Sequence, residues 1–273
     1  MDILSPLFHY TNVPVLALIL KNQTIRFNSL DRMDDHQEQM TADLKNVGQF
    51  CYISSWTEDP EESIPMWKMY GSMESGIRIS LERNPFQIYI NNLDELSKQT
   101  NLSIQWGFDE NPETIIPLSE MLQGNFYSAQ AISKDLLHKV EYTSDMNKLL
   151  PRLKASNKES TSIALNELGK YKNLKWRFQR EWRYIIHAIP MPFTQGTTDY
   201  GKWGIEFIND MSSGTAKQPF PFYELKIDKE AFSRMTITLS PNIKPGNRVI
   251  VHDLVEKYNP SAKIFESELI GLI

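Results

Sequence analysis

LFHYTNVPVLALILKNQTIRF, residues Leu7 to Phe27, packs a strand, a helix and the start of a second strand into one short stretch. Leu4 to Tyr10 read as a short strand. Asn12 then has the side chain of an N-cap, Pro14 suits a first helical turn, and Val15, Leu16, Leu18, Ile19 and Leu20 make a helix apolar on most sides, which predicts burial. TIRFNSL, Thr24 to Leu30, sets Ile25 and Phe27 against polar neighbours, as a half-buried strand does. The triplet His9-Tyr10-Thr11 falls at a strand end, where side chains project into clefts.

Working outward, the acidic stretch DRMDDHQEQM reads as a loop entering a helix. FCYISSWTED, Phe50 to Asp59, has the β-branched and aromatic content of a core strand and stops at the turn signal Asp59-Pro60. IPMWKMYGSMESGIRISL predicts a short helix with Trp67 and Tyr70 on one face, a stop at Gly71, and a strand burying Ile77, Ile79 and Leu81. From Asn91 to Lys172 the pattern weakens into polar pieces such as GFDENPET alternating with helical ones, with KVEYT as a short strand; this region is expected to be a helical insertion in a single domain spanning 1–273. Order returns with RFQREWRYIIHAI, FYELKI and RMTITLSP as strands, a helix from about Asn247 to Tyr258 introduced by Pro245-Gly246, and a last strand AKIFESEL. The sum is an α+β fold with a mixed or antiparallel sheet.

Composition limits the function. With 29 Lys+Arg against 34 Asp+Glu the net charge is −5, so no overall positive field holds a nucleic-acid backbone, although a local basic groove stays compatible with it. The single cysteine, Cys51, removes any intrachain disulfide and fits a reducing cytoplasm. The opening MDILSPLFHY lacks a basic stretch followed by an apolar core, and no apolar run reaches the ~18 residues of a spanning helix. An unexported cytoplasmic protein without membrane partners is expected.

Motifs narrow the chemistry further. The histidines at 9, 36, 138, 187 and 252 form no closely spaced pair, and neither Gly-x-x-x-x-Gly-Lys nor Gly-x-Gly-x-x-Gly occurs. No metal is expected. Asp34, Asp35 and Glu38 are oxygen donors for a metal-dependent nuclease or hydrolase, ranked below the reading in which acidic residues complement a helix start. Cys51, in an apolar strand, reads as a small core residue. In REWRYII, Glu181 and Arg183 share one strand face and Trp182 and Tyr184 the other; Ile185 and Ile186 point to a central strand, where an ionised carboxylate needs a partner or a task.

Taken in order, LFHYTNVPVLALILKNQTIRFNSLDRMDD, CYISSWTEDPEESIPMWKMYGSMESGIRISL, KVEYT, LKWRFQREWRYII and MTITLSPNI resemble the bacterial domain of unknown function 2971 family. One departure is visible: Asp34-Asp35-His36 stands where that family has Asn-Asp-Pro. A second likeness is to the His-Tyr-Glu arrangement of ADP-ribosyltransferases. That resemblance implies a split sheet, NAD as substrate, and His9, Tyr70 and Glu181 as catalytic residues. His9 would bind the ribose and adenosine side, Tyr70 would stack on nicotinamide, and Glu181 would hold the ribose 2′-hydroxyl. Tyr10, Thr11 and Trp67 would join His9 in binding, with Arg26, Arg78 or Arg183 on the pyrophosphate. The implied reaction passes ADP-ribose to an unknown macromolecular acceptor or to water, as in toxins and phage-defence effectors. The alternative is a non-catalytic module binding a nucleotide or a nucleic-acid end.

Overall fold

In the computed structural model the opening stretch forms β1 (Leu7–Asn12), α1 (Val13–Asn22) and β2 (Thr24–Ser29). Asn12 caps the helix by accepting the Val15 N–H at 3.1 Å, and Pro14 sits in the first turn, where an N–H has no intrahelical partner. Gln23, left-handed at φ 54°, ends the helix and turns the chain straight into β2. The helix is less enclosed than its composition predicts: Leu16, Ile19 and Leu20 are buried, but Val15 and Leu18 face out. The structure describes residues 5–100, 111–133, 136–157, 160–193 and 199–273. Leu4 and residues 107–110 of the polar piece GFDENPET lie outside them.

The remaining strands of the main sheet are β3 (Cys51–Thr57), β4 (Gly76–Leu81), β5 (Leu137–Lys139), β6 (Glu181–His187), β7 (Phe222–Lys226), β8 (Thr236–Leu239) and β9 (Lys263–Phe265). The sheet is mixed: β8 and β9 are parallel and the other pairs antiparallel. β6 pairs with β3 along its whole length, from Glu181 opposite Thr57 to His187 opposite Cys51. The opposite edge of β3 is therefore shared. β2 takes it at Ile53 and Tyr52, β1 touches it only where Phe8 meets Thr57, and Ser54–Trp56 have no strand opposite them there. Two leaves result, β7-β2-β3-β6-β5 and β1-β4-β8-β9, joined at one residue pair and diverging from it.

Alternation along β3 and β6 supplies two cores. Tyr52, Trp56, Tyr184 and Ile186 enter the larger core together with Leu16 and Leu20 of α1 and with Val251 and Val255 of α5 (Pro245–Tyr258). Cys51, Ile53 and Ile185 enter a smaller core on the other face, closed by Met211 and Phe207. Both strands are buried on both sides, as central strands are.

Two expectations need correction. The acidic stretch enters no helix: a single 3-10 turn, Leu30–Arg32, is followed by turns in which Asp35 accepts the Gln37 N–H, because a short carboxylate competes with helix by bonding its own backbone. The described part of 91–172 is only partly helical. It holds α2 (Leu93–Thr100) and α3 (Leu118–Gly124), but also strand pairs of two or three residues, and β5 adds to the main sheet. A helix of its own, α4 (Tyr200–Ser213), precedes β7.

Candidate functional site

The leaves part beside Phe8 and Thr57, and a cleft opens there with about 540 Å³ of space partly open to solvent. His9, Tyr70 and Glu181, distant in sequence, all line it.

His9 comes from β1. Its Nδ1 lies 2.8 Å from the carbonyl oxygen of Ser55, in the part of the β3 edge that no strand covers. A carbonyl only accepts, so Nδ1 carries the proton. Burial lowers the imidazole pKa against the opposing pull of that hydrogen bond, so at neutral pH the ring is uncharged and Nε2 is left as an acceptor.

Tyr70 comes from an unusual turn. Ser63 caps one α-helical turn, Ile64–Met66, which widens into a π-turn over Trp67–Gly71. Trp67 and Tyr70 were expected on one face. In the wider turn residues three apart diverge, so Trp67 is fully buried and donates its indole N–H to Glu62 at 2.8 Å, while Tyr70 reaches the cleft. Gly71 and Gly76 permit this packing. A Cβ on Gly71 would lie 2.9 Å from the Trp67 ring, and one on Gly76 only 2.2 Å from the Ser72 carbonyl. The Tyr70 hydroxyl accepts from Gln179 Nε2 at 2.5 Å, and the buried Gln179 Oε1 has no hydrogen-bond partner.

Glu181 opens β6 and is 4% exposed. Arg183, on the same strand face, binds it through Nε (2.7 Å) and Nη2 (3.1 Å), and Lys172 through Nζ (3.2 Å). Lys172 also lies 3.0 Å from Glu38, and Arg183 Nη1 pairs with the other Glu38 oxygen while donating to the Gly169 carbonyl. Two carboxylates and two cations thus form one buried, neutral cluster. Burial by itself would raise the Glu181 pKa, but the charges of Arg183 and Lys172 outweigh it and hold the carboxyl at about 2. It is ionised at neutral pH. Tyr142 fixes the strand entry by accepting the Glu181 N–H at 2.8 Å.

Tyr10 and Arg183 also line the cleft; the other expected binding residues do not. Tyr10 is buried, and its hydroxyl accepts the Ser63 N–H at 3.0 Å, tying the π-turn to β1. Thr11 is buried and Trp67 belongs to the core. Arg78 is spent on the carbonyls of Asp59 and Pro60, 2.8 and 2.7 Å away, with its guanidinium over the Phe8 ring. Arg26 pairs with Glu224 at 2.8 Å beside a second cavity that shares His9. Among Asp34, Asp35 and Glu38, only Asp34 lines the cleft, Glu38 is consumed by Lys172 and Arg183, and no three of the described His, Cys, Asp and Glu residues are arranged to hold a metal ion. Cys51 is a buried core residue whose thiol burial pushes up to about 12.

Lys172 and Gln179 carried no sequence signal, and Glu38, read there as an oxygen donor, serves instead as a counter-charge to Lys172 and Arg183. Lys172 lies in a three-residue strand paired in parallel with Glu141–Thr143, too short for periodicity to reveal. No helix among the described residues is long and apolar enough to cross a membrane. Residues 66–184 match the model of a family described as protein of unknown function (DUF2971), in agreement with the resemblance read from the sequence. No curated protein and no solved structure matches the chain.

Proposed function

From a family whose description carries no activity, we propose a function on the cleft alone: it binds NAD and cleaves the nicotinamide–ribose bond, passing ADP-ribose to a macromolecular acceptor or to water. The observation that carries the reading is the meeting of His9, Tyr70 and Glu181 where the two leaves part. Cleavage builds positive charge on the ribose, and an ionised carboxylate held in place beforehand stabilises that charge more than the ground state. Glu181 has this property, since Arg183 and Lys172 both fix it and keep it deprotonated. The unprotonated Nε2 of His9 accepts a ribose hydroxyl, and the half-buried ring of Tyr70 stacks on the nicotinamide. An ADP-ribosyltransferase-like fold belongs to the same proposal, supported by the two-leaf sheet.

A second reading has its own observation. A carboxylate offers about four acceptor positions. Arg183 and Lys172 take three at Glu181, and the Ser55 hydroxyl also helps hold it deprotonated. A carboxylate so occupied suits a structural ion cluster, with the cleft as a non-catalytic nucleotide-binding site. For catalysis the substrate hydroxyl must take the place of Ser55.

The test is nicotinamide release from NAD by the wild type, Glu181→Gln and Tyr70→Phe, the last leaving the ion cluster whole. On the enzymatic reading the wild type releases nicotinamide and Glu181→Gln does not, while Tyr70→Phe is slowed; added cell lysate separates transfer from hydrolysis. NAD binding without release by the wild type would establish the binding module.

A further inference from the structure

Between Lys172 and Glu181 the chain runs through a 3-10 segment, Leu174–Gln179, whose sequence LKWRFQ interleaves cations with apolar and aromatic residues. Three residues per turn put Trp176 and Gln179 on one edge, Lys175 and Phe178 on a second, and Leu174 and Arg177 on the third. The first edge faces the cleft: Gln179 lines it, and the Trp176 ring lies 4.9 Å from the Lys172 ammonium. The other two face solvent, with Phe178 40% and Leu174 42% exposed. Each outward edge carries one cation and one apolar side chain. The Trp176 and Phe178 rings lie 6.2 Å apart, tilted by 33°.

Lys175 and Arg177 are exposed and, among the described residues, their side chains take part in no ion pair or hydrogen bond. Among the described residues other exposed cations, Arg32 and Arg152 included, also take part in no ion pair; what this rim adds is exposed apolar side chains beside its cations. Free cations flanked by the exposed Phe178 ring and the half-buried Trp176 ring suit a ligand that alternates phosphates with flat apolar faces. An acidic peptide would use the cations and leave the rings bare. A duplex hides its base faces, and the chain's net charge of −5 opposes binding over a broad surface. A single strand uses both features, its phosphates on the cations and its bases on the rings.

We propose that Lys175, Trp176, Arg177 and Phe178 form a docking surface for single-stranded nucleic acid at the mouth of the cleft. Binding stands without the NAD reading; the further consequence, that the docked strand is the acceptor of ADP-ribose, rests on it.

The experiment is fluorescence anisotropy with fluorescein-labelled single-stranded DNA and RNA of about 16 nucleotides, the upper end of common site sizes, titrated at several salt concentrations. Wild type is expected to bind, with no competition from the matching duplex. Trp176→Ala/Phe178→Ala is expected to weaken binding by about tenfold or more. Lys175→Ala/Arg177→Ala is expected to reduce the slope of log affinity against log salt by about 1.4, which is ~0.7 per lost phosphate contact. Lys175, Arg177 and Phe178 are exposed and Trp176 is half-buried, and unchanged melting shows that both variants fold. No binding by wild type, or unchanged binding by both variants, overturns the proposal. Nicotinamide release measured without nucleic acid separates the two ideas: release without strand binding removes the docking surface alone, and strand binding without release removes the NAD reading alone.

Discussion

Glu181 and Arg183 were legible as a pair on one strand face, but the pair is half of a cluster whose other half, Glu38 and Lys172, arrives from a loop and a short ribbon. The balance of two negative and two positive charges decides what a substitution does. Glu181→Gln leaves one carboxylate for two buried cations, and breaking a buried pair in this way costs about 3–5 kcal/mol. Adding Lys172→Met restores one carboxylate to one cation, so the double variant is expected to recover most of the loss in urea melts, an interaction that a double-mutant cycle measures. Equal and additive losses would show that the four groups are not one unit. The same cluster sets an acid limit. A carboxyl held at about 2 in the fold and near 4.5 when unfolded contributes stability that is complete above 4.5 and fades as pH falls towards 2. In Glu181→Gln/Lys172→Met that part of the slope of melting temperature with pH should be absent.

At the scale of elements, the π-turn shows where sequence periodicity stops informing. Trp67 and Tyr70, three apart, read as one face of a helix. An inserted backbone step gave one to the core and the other to the cleft. The spacing carries no trace of the wider turn; what does is the glycine at each end of the following loop, which lets Trp67 and the Ser72 carbonyl approach backbone that a side chain would block. Gly76→Ala puts its Cβ 2.2 Å from a backbone oxygen rather than a movable side-chain tip. It should cost about 3 kcal/mol, at the upper end of overpacking penalties, in a denaturant melt, and displace Tyr70 enough to weaken any ligand of the cleft. A melt within about 0.5 kcal/mol of wild type would show that the loop relaxes without loss. The cap at Asn12 and the central strands β3 and β6 were readable because local chemistry alone decides them. The insertion was not, since strands of two or three residues are fixed by their partners and not by their own pattern.

Over the whole molecule, the larger core packs against both leaves, while at the cleft itself the Phe8–Thr57 pair and the His9–Ser55 hydrogen bond tie them together. The sequence announced β1 as a strand and His9 as a cleft residue, yet could not show that β1 and β2 take opposite ends of one edge of β3, since that depends on strand order rather than strand content. His9 is therefore both part of the joint and part of the site, and its removal separates the two roles by size. His9→Ala leaves the Ser55 carbonyl without that donor, a loss of about 1–3 kcal/mol, while both cores and the ion cluster stay intact. Its effect on ligand binding should be larger in proportion, because Nε2 is lost together with one of the ties between the cleft walls. Thermal melts with and without saturating NAD measure both quantities at once. The bare melting temperature should fall by a few degrees, and the ligand-induced rise, which reflects binding to the folded state alone, should collapse. A rise equal to that of the wild type would mean that His9 only pins the leaves and that the ribose is held elsewhere.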